Sequence, residues 1–271
     1  MYRFWSPVLR PLAEAIGPSS IVEVGVEAGA HTRRILRWSA RRALTLHAVD
    51  PAPRLDVEAW MRRYGPRVCF HLKPSLKALP EIGPVDLALI DGDHNWFTVF
   101  HELRELERGA LEAGLPPPAI ALHDVGWPYG RRDMYYEPSR LPPEFVKEHA
   151  RRGMAPGRSA LLERGGINPH LMNATVEGEE RNGVLTAVED FRDQAASKWS
   201  LRLRPGFNGL GVLVPERREA DPRVERTLAR LWSAEAMNRH ARDLEAARLA
   251  LQLASSERER ETPARSGKRE P

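Results

Sequence analysis

The sequence contains a single cysteine, Cys69, among its 271 residues. One thiol excludes an internal disulfide framework and any metal site built on clustered cysteines. No run approaches the roughly 18 consecutive apolar residues of a membrane-spanning helix. The N-terminal stretch MYRFWSPVLRPLAEAIG also lacks the continuous apolar core and small-residue cleavage site of a secretory signal. We therefore expect a cytoplasmic protein with no membrane span.

Excess charge of either sign is also scarce. The 41 basic residues exceed the 37 acidic residues by only four, which does not indicate a dedicated nucleic-acid-binding protein. All but five of the basic residues are arginine, a usage typical of a GC-rich bacterial genome. The apolar fraction of 42% is ordinary for a folded protein, so the chain suffices for one large domain with a short appendage.

Short apolar runs alternate with amphipathic segments through the first half of the chain. The predicted strands are 21–25, 44–49, 68–72, 85–90 and 119–122, and the predicted helices are 30–42, 55–64 and 96–112. This alternation predicts parallel strands with helices on both faces. A further helix at 184–197 and a closing hairpin of strands at 200–204 and 209–214 follow. The fold class is therefore α/β, a Rossmann-like, doubly wound and mostly parallel sheet of seven strands.

Three other segments depart from this pattern. Residues 126–183 are rich in Pro, Gly, Arg and aromatic residues, and we predict an insertion or lid inside a domain spanning 1–218. The sequence of residues 219–261 predicts a C-terminal helical extension. Its broken apolar stripe favours packing back on the domain or a contact with a partner, including a second copy of the chain. Residues 262–271 are predicted to be a disordered tail.

Polar residues follow the first two predicted strands, where an open parallel sheet binds its ligand. The motif EVGVEAGAHT contains Gly25 and Gly29, which would let a ligand approach the backbone beside free helix N–H groups. Asp50 ends the second strand, where a carboxylate can accept hydrogen bonds from two ribose hydroxyls. The alternatives are a tight turn without a ligand and a turn aspartate before Pro51. Together the two features favour a nucleoside-containing cofactor.

Two acidic–histidine clusters close the next strands. DGDH, which begins at Asp91, ends the fourth strand, and His123 and Asp124 end the fifth. Both ends open on one crevice, so Asp91, Asp124 and His123 would converge on a divalent ion. Carboxylates suit Mg²⁺ or Mn²⁺, and an imidazole ligand favours Mn²⁺, Fe²⁺ or Zn²⁺. The alternative is that these residues cap strands and hydrogen-bond loops.

These motifs resemble a known family. EVGVEAGAHT, HAVD, LALIDGDH and ALHD occur in the order and spacing of class I S-adenosylmethionine-dependent methyltransferases. The strand ends D-x-D-H and H-D resemble those of metal-dependent small-molecule O-methyltransferases. DGDHNW, LHDVGWPYGRRDMYY and RNGVLTAVEDF resemble a bacterial branch grouped with methyltransferase family 24, akin to macrocin-type sugar methyltransferases. The resemblance covers about residues 15–215. It implies S-adenosylmethionine as cofactor and methylation of a hydroxyl on a sugar, glycan or natural-product acceptor, with Mg²⁺ or Mn²⁺ assisting.

The resemblance also implies roles on the cofactor side. Glu23, Gly25 and Gly29 would line the methionine part of the cofactor. Asp50 would hold the ribose, and Ser75, in the loop after the third strand, would approach the adenine.

On the acceptor side, Asp91 matches the first metal carboxylate and borders the cofactor. Relatives usually place an acid–amide or acid–acid pair at the end of the fifth strand. This sequence has His123 and Asp124 there, which makes Asp124 the stronger metal ligand. His94 stands where catechol-type relatives carry a catalytic lysine. Because imidazole titrates near neutrality, it would take a proton from a hydroxyl acidified by the metal.

The insertion supplies candidate substrate contacts. Aromatic rings stack on sugar or ring faces and arginine forks grip carboxylate or phosphate, so we predict contacts from Trp127, Tyr129, Arg131 and Arg132. The alternative is an ordered loop stapled by Arg–Asp pairs and packed on the domain. Further candidates in the same segment are Asp133, Tyr135, Tyr136, His170 and Asn173.

Two other functions stay open at this point. One is oxygen chemistry on the same fold, as in cephalosporin-hydroxylase-like proteins, although the sequence lacks a clear H-x-D…H iron triad. The other is a non-catalytic Rossmann-like binding module that acts through its C-terminal helix. The intact set of candidate site residues argues against a decayed module.

Overall fold

The computed structural model describes residues 1–261 and divides into two compact units. The first is Met1–Leu228 and the second begins at Ala229. The predicted tail, 262–271, lies outside the described residues. Within residues 1–261, no helix combines the length and apolarity needed to cross a membrane.

A seven-stranded sheet organises the first unit. Its strands are β1 (Ser20–Val24), β2 (Thr45–Val49), β3 (Val68–His71), β4 (Leu87–Ile90), β5 (Ala119–His123), β9 (Trp199–Arg204) and β10 (Leu210–Pro215). The order is β3-β2-β1-β4-β5-β10-β9. The first five strands are parallel, and β10 runs antiparallel to both β5 and β9. The predicted fold class is confirmed. The strand order reverses between β1 and β4, which is where such sheets open a ligand crevice.

The helices flank this sheet. They are α1 (Arg10–Ile16), α2 (Ala30–Trp38), α3 (Val57–Tyr64), α4 (Ser75–Ile82), α5 (Trp96–Glu112), α6 (Val184–Gln194), α7 (Glu216–Glu219) and α8 (Pro222–Leu231). One face of the sheet forms a continuous apolar core with α4, α5 and α6. Strand residues of the other face, such as Ile21 and Leu46, are also fully buried. Because both faces are covered, the strands read as apolar runs rather than as alternating patterns.

Helix α5 begins and ends where the sequence predicts. Asn95 caps it by accepting a hydrogen bond from the Thr98 amide at 2.9 Å, and the cap fixes the segment that carries His94. The sequence analysis missed α1 and α4. Helix α4 has only eight residues and contains Pro80, so it offers little periodic signal.

The insertion is more regular than its composition indicates. It contains a three-stranded antiparallel sheet in the order β6-β8-β7, formed by β6 (Met134–Tyr135), β7 (His149–Arg151) and β8 (Met172–Ala174). These strands have only two or three residues each, which is too short for a readable alternation. The β6 amide of Met134 donates to the His94 carbonyl at 3.0 Å, so the insertion is tied to the loop after β4.

The C-terminal segment is helical, as predicted, but it is not one helix. Helix α8 ends at Leu231, and α9 runs over Ala234–Glu261. Helix α9 carries exposed leucines at positions 249, 251 and 253.

Candidate active site

Two glycines shape the loop that follows β1. Gly25 has φ +89°, and a Cβ atom there would collide with the backbone carbonyl of Asp91. Gly29 has φ +72° and lies against the ring of Trp60. Both positions require glycine for the chain's own packing. This packing brings the β1–α2 loop against the end of β4, so the two predicted halves of the site adjoin each other.

Asp50 holds the same loop from the end of β2. Its Oδ2 accepts hydrogen bonds from the amides of Val26 at 3.0 Å and Glu27 at 2.9 Å, and its Oδ1 accepts one from Ala52 at 2.8 Å. A carboxylate has about four acceptor positions, so these bonds leave capacity for a ribose hydroxyl. Asp50 thus has a structural role that is compatible with the predicted one.

Glu23 lies beneath this loop and is 1% exposed. Its Oε1 lies 3.0 Å from Nδ1 of His31, at the start of α2, and neither carboxylate oxygen has a further hydrogen-bond partner. The ring of Trp5 packs on His31 with the centroids 5.5 Å apart. A buried carboxylate with spare acceptor positions can receive donors from a ligand in the loop.

The acidic–histidine cluster forms where β4 and β5 end. His123 Nδ1 lies 3.1 Å from Asp91 Oδ1 and 2.7 Å from Asp124 Oδ2. His94 Nε2 lies 3.1 Å from Asp124 Oδ2. Asp124 has φ +60°, a rare conformation for a non-glycine residue. The structure thus brings these four residues together at the strand ends.

The carboxylates and imidazoles of this cluster shift one another's pKa values. Burial alone would lower the pKa of His94, but the carboxylates of Asp124 and Asp91 outweigh it and raise the pKa to about 9. Burial is likewise outweighed at His123, where Asp124 and Asp91 raise the pKa to about 9. The same contacts hold the pKa of Asp124 well below its usual range, against the effect of burial. Without a cation, the carboxylates therefore favour the protonated form of both imidazoles.

The donors of the cluster fit a divalent cation. One ligand atom from each of Asp91, His123 and Asp124 lies within 4.8 Å of the others. Asp124 Oδ1 is buried and has no hydrogen-bond partner. A positive group already contacts the cluster, because the amino group of Met1 lies 2.6 Å from Asp91 Oδ2. Two carboxylates and one imidazole differ from the two-imidazole, one-carboxylate set of non-haem iron oxygenases.

Asp93 is a site residue to which the sequence analysis gave no role. It stands between Asp91 and His94, and burial raises its pKa above the usual range. The Thr98 hydroxyl donates to its Oδ2 at 3.3 Å. The DGDH motif contains this residue, but its burial depends on packing that the motif does not encode.

Aromatic residues of the insertion face His94. The Tyr129 ring lies 5.5 Å from the His94 ring and is 3% exposed, and the Tyr136 ring lies 6.4 Å away and is 58% exposed. The Tyr129 hydroxyl bonds to Asn168 and Asn173, so that residue is fixed. Trp127 is half-buried, and its indole N–H is buried without a partner. Tyr136 is the most accessible ring of this group.

The two arginines predicted to contact substrate both bond to other parts of the protein. Arg132 is fully buried and donates to the backbone carbonyls of Ala174 and Ser159. Arg131 forms a forked ion pair with Glu189 on α6. The full burial of Arg132 rules out the predicted substrate contact for that residue, whereas Arg131 keeps 45% of its side chain exposed beside Glu189.

The remaining candidate residues of the insertion differ in their burial. Asp133 is fully buried and accepts hydrogen bonds from the amides of Trp96 and Gly183 and from the Tyr135 hydroxyl. Asn173 is also fully buried, whereas His170 is exposed and its carbonyl accepts a bond from Arg151. Asp133 and Asn173 therefore hold the insertion together.

Comparison with known proteins gives one family match. Residues 22–125 match a family described as a methyltransferase domain, methyltransferase family 24. The matched segment runs from β1 to the loop after β5 and includes every member of the acidic–histidine cluster. No curated protein matches the chain.

Several solved structures are similar to the chain. An S-adenosylhomocysteine-bound methyltransferase from Podospora anserina has 16% identity and a TM-score of 0.45, with 76% of each chain covered. A putative O-methyltransferase from Klebsiella pneumoniae has 15% identity and a TM-score of 0.42, with 76% of this chain and 77% of that chain covered. A 1,6-didemethyltoxoflavin N1-methyltransferase from Burkholderia thailandensis has 17% identity and a TM-score of 0.43, with 79% and 77% covered.

The family match and the strand order agree with each other. The match spans the parallel half of the sheet, and the whole sheet follows the doubly wound order with a final antiparallel hairpin. The resemblance to methyltransferase family 24 is thereby confirmed over residues 22–125, and the strand order confirms the Rossmann-like fold.

Proposed function

We propose that the protein is a divalent-metal-assisted O-methyltransferase that acts on a hydroxyl of a sugar, glycan or natural-product small molecule. The observation that carries this proposal is the convergence of Asp91, His123 and Asp124 beside the glycine loop, with Asp124 Oδ1 buried and unpartnered. Such a set of donors suits a hard or borderline cation. Its position borders the predicted cofactor loop, so an acceptor bound at the cation would adjoin the cofactor.

On the cofactor side, the loop after β1 supplies backbone N–H groups and the carboxylates of Glu23 and Asp50 supply acceptors. When bound, S-adenosylmethionine would supply a methyl group on a sulfonium; the acceptor oxygen would bond to that methyl carbon in line as the carbon–sulfur bond breaks, and S-adenosylhomocysteine would leave. Because the loop is already fixed by Asp50, little ordering is needed to align the reacting atoms. Alignment of this kind contributes about 7–11 kcal/mol in the best cases.

On the acceptor side, Asp91, Asp124 and His123 would hold the cation. A divalent cation there would lower the pKa of the bound hydroxyl. A cation bound there would oppose the effect of the two carboxylates on the pKa of His94, so His94 in its neutral form would hold the departing proton. The exposed ring of Tyr136 would cover the face of a ring-shaped acceptor.

The test is methyl transfer to simple vicinal diols. Catechol and a panel of sugars would be incubated with methyl-labelled S-adenosylmethionine and Mg²⁺ or Mn²⁺, and parallel samples would contain EDTA. We expect a labelled methyl ether that forms only with metal and is lost in Asp124→Asn. Equal transfer in EDTA and in that variant would contradict the role of the metal.

A further inference from the structure

Two histidines interrupt the apolar strands at the β3 edge of the sheet, and no role described so far uses them. His47 lies on β2, and His71 ends the edge strand β3. The register pairs Val49 with His71, and residues two apart on a strand share a face, so both imidazoles project from one face. Val49 packs on that face with Ala78 and Leu79 of α4. The fold thus brings the two imidazoles together on the α4 side of the sheet.

The contact between these two rings has a separation that suits a shared cation. His47 Nδ1 lies 3.1 Å from His71 Nε2, and the ring planes meet at 34°. Two metal–nitrogen bonds of about 2.0–2.1 Å, at an angle of about 90–110°, hold their nitrogens about 2.9–3.4 Å apart. The observed separation lies within this range. Rotation of the rings would therefore aim both lone pairs at one cation.

The charge of the pair also favours a cation. Burial lowers the pKa of His47, and the neighbouring His71 lowers it further. Burial likewise lowers the pKa of His71, with Lys73 adding to this effect and Glu81 opposing it. Lys73 and Glu81 form an ion pair at 2.7 Å, so their charges largely balance beside the ring. Both imidazoles are neutral at pH 7, and a tautomer shift of one ring frees both inner nitrogens without net loss of a proton.

The donor atoms select the kind of cation. Imidazole suits Zn²⁺, Cu²⁺ and Ni²⁺, whereas Mg²⁺ prefers oxygen ligands and Mn²⁺ binds most weakly in the transition-metal order. Within residues 1–261, the one group with three ligand atoms inside 4.8 Å is that of Asp91, His123 and Asp124. Cys69 is the register partner of His47 and shares its face, but its thiol joins no such group. Water would therefore complete the coordination at the histidine pair.

We propose that His47 and His71 form a second metal site, which binds a divalent transition-metal ion of the Zn²⁺ class between Nδ1 of His47 and Nε2 of His71. This site is independent of the proposed function, because its strands β2 and β3 are separated by β1 from the strands of the acidic–histidine cluster. The His71 carbonyl accepts a hydrogen bond from the Asp50 amide at 3.1 Å. A cation here would therefore stabilise the edge strand and the strand end that carries Asp50.

The test is calorimetric titration with Zn²⁺ at pH 7 in excess Mg²⁺, on wild type, His47→Gln and His71→Gln. Each variant leaves one imidazole, so we expect the affinity of one Zn²⁺ equivalent to fall by at least about tenfold. Any Zn²⁺ at the acidic–histidine cluster remains in both variants, so the two sites are counted separately. His101→Gln is the matched control, because His101 is half-buried and its Nδ1 lies 2.7 Å from the Phe97 carbonyl instead of another imidazole. It should bind Zn²⁺ as wild type does.

A second measurement on wild type keeps the test decisive if a variant does not fold. Diethyl pyrocarbonate modifies free imidazole nitrogens, and peptide mass spectrometry locates the modified histidines. We expect Zn²⁺ to reduce modification of His47 and His71 at least about fivefold and to leave exposed His170 unchanged.

Equal Zn²⁺ binding by wild type and both folded variants would overturn the proposal, and so would unprotected His47 and His71. Protection of the pair without any methyl transfer would instead count against the proposed function alone.

Discussion

Two buried polar clusters, one around Asp133 in the insertion and one around Asp124 at the strand ends, differ in how their charges are satisfied. In the insertion, Asp133 receives two backbone amides and the Tyr135 hydroxyl within 2.6–2.9 Å. At the strand ends, Asp124 contacts two imidazoles and still leaves Oδ1 unpartnered. The first cluster is complete within the protein, so its role is to hold structure. The second has spare acceptor capacity, which is what a ligand site needs.

The same contrast separates the arginines from the histidines. Arg132 is buried because it joins carbonyls of two parts of the insertion. His94 and His123 are buried against carboxylates that raise their pKa values to about 9. Arg132 also lies 3.4 Å from the Glu177 carboxylate, so backbone and carboxylate oxygens share its charge, whereas the two histidines face carboxylates that can also bind a cation.

The largest expected effect comes from breaking the strand-end cluster. Asp124→Asn removes a carboxylate ligand, so we expect Mn²⁺ affinity to fall by at least about 100-fold. The amount of free Mn²⁺, followed by electron paramagnetic resonance, measures this directly. Asp133→Asn is the matched control, since it alters a buried aspartate outside the cluster. Equal Mn²⁺ binding by wild type and Asp124→Asn would contradict the assignment.

The next effect comes from breaking the insertion cluster. Asp133→Ala leaves two buried amides without an acceptor, so we expect the free energy of unfolding to fall by about 3 kcal/mol. Urea denaturation measures this change, and Tyr135→Phe, which removes one bond, should cost about 1 kcal/mol. Mn²⁺ affinity of the folded variant should match wild type. An unchanged free energy of unfolding in Asp133→Ala would show that Asp133 does not stabilise the insertion.

The pH dependence of stability is a smaller effect, and it depends on the charge of His94 in the strand-end cluster. Because His94 has a folded-state pKa of about 9 against about 6.5 when unfolded, its stabilising contribution is complete below pH 6.5. That contribution is lost as pH rises through about 9, so metal-free protein should become less stable over this window. Thermal unfolding in EDTA at several pH values checks this, and His94→Gln should give a shallower decline. An increase in stability as the pH rises would contradict this prediction.

The smallest expected effect belongs to Arg131. Its side chain is 45% exposed and pairs with Glu189, and exposed pairs contribute about 0.2–1 kcal/mol. We expect Arg131→Ala to reduce the free energy of unfolding by less than about 1 kcal/mol in urea denaturation. Its affinity for an identified acceptor should equal that of wild type. A large loss of acceptor affinity would instead support the predicted substrate contact.

The sequence predicts the sheet well for a physical reason. Strands such as β4 are buried on both faces, so each appears as an apolar run that ends abruptly at a polar residue. Helix α5 combines a 3.6-residue periodicity with the Asn95 cap, which defines its start. In contrast, α4 is short and contains Pro80, and the strands of the insertion are too short to show a period.

The candidate site was predictable only in part. Asp91 and Asp124 follow adjacent strands, so topology alone brings them together. The burial of Arg132 depends on tertiary contacts between distant segments, and no local pattern distinguishes this residue from a solvated charge. The pKa of His94 likewise depends on how closely Asp124 approaches it, which residue spacing does not determine.

The most direct test of the account is one calorimetric experiment on wild type and Asp124→Asn. Each protein would be titrated with S-adenosylhomocysteine and, separately, with Mn²⁺. The account predicts micromolar binding of S-adenosylhomocysteine by both proteins and binding of Mn²⁺ by wild type alone. Failure of wild type to bind S-adenosylhomocysteine, with or without metal, would contradict it.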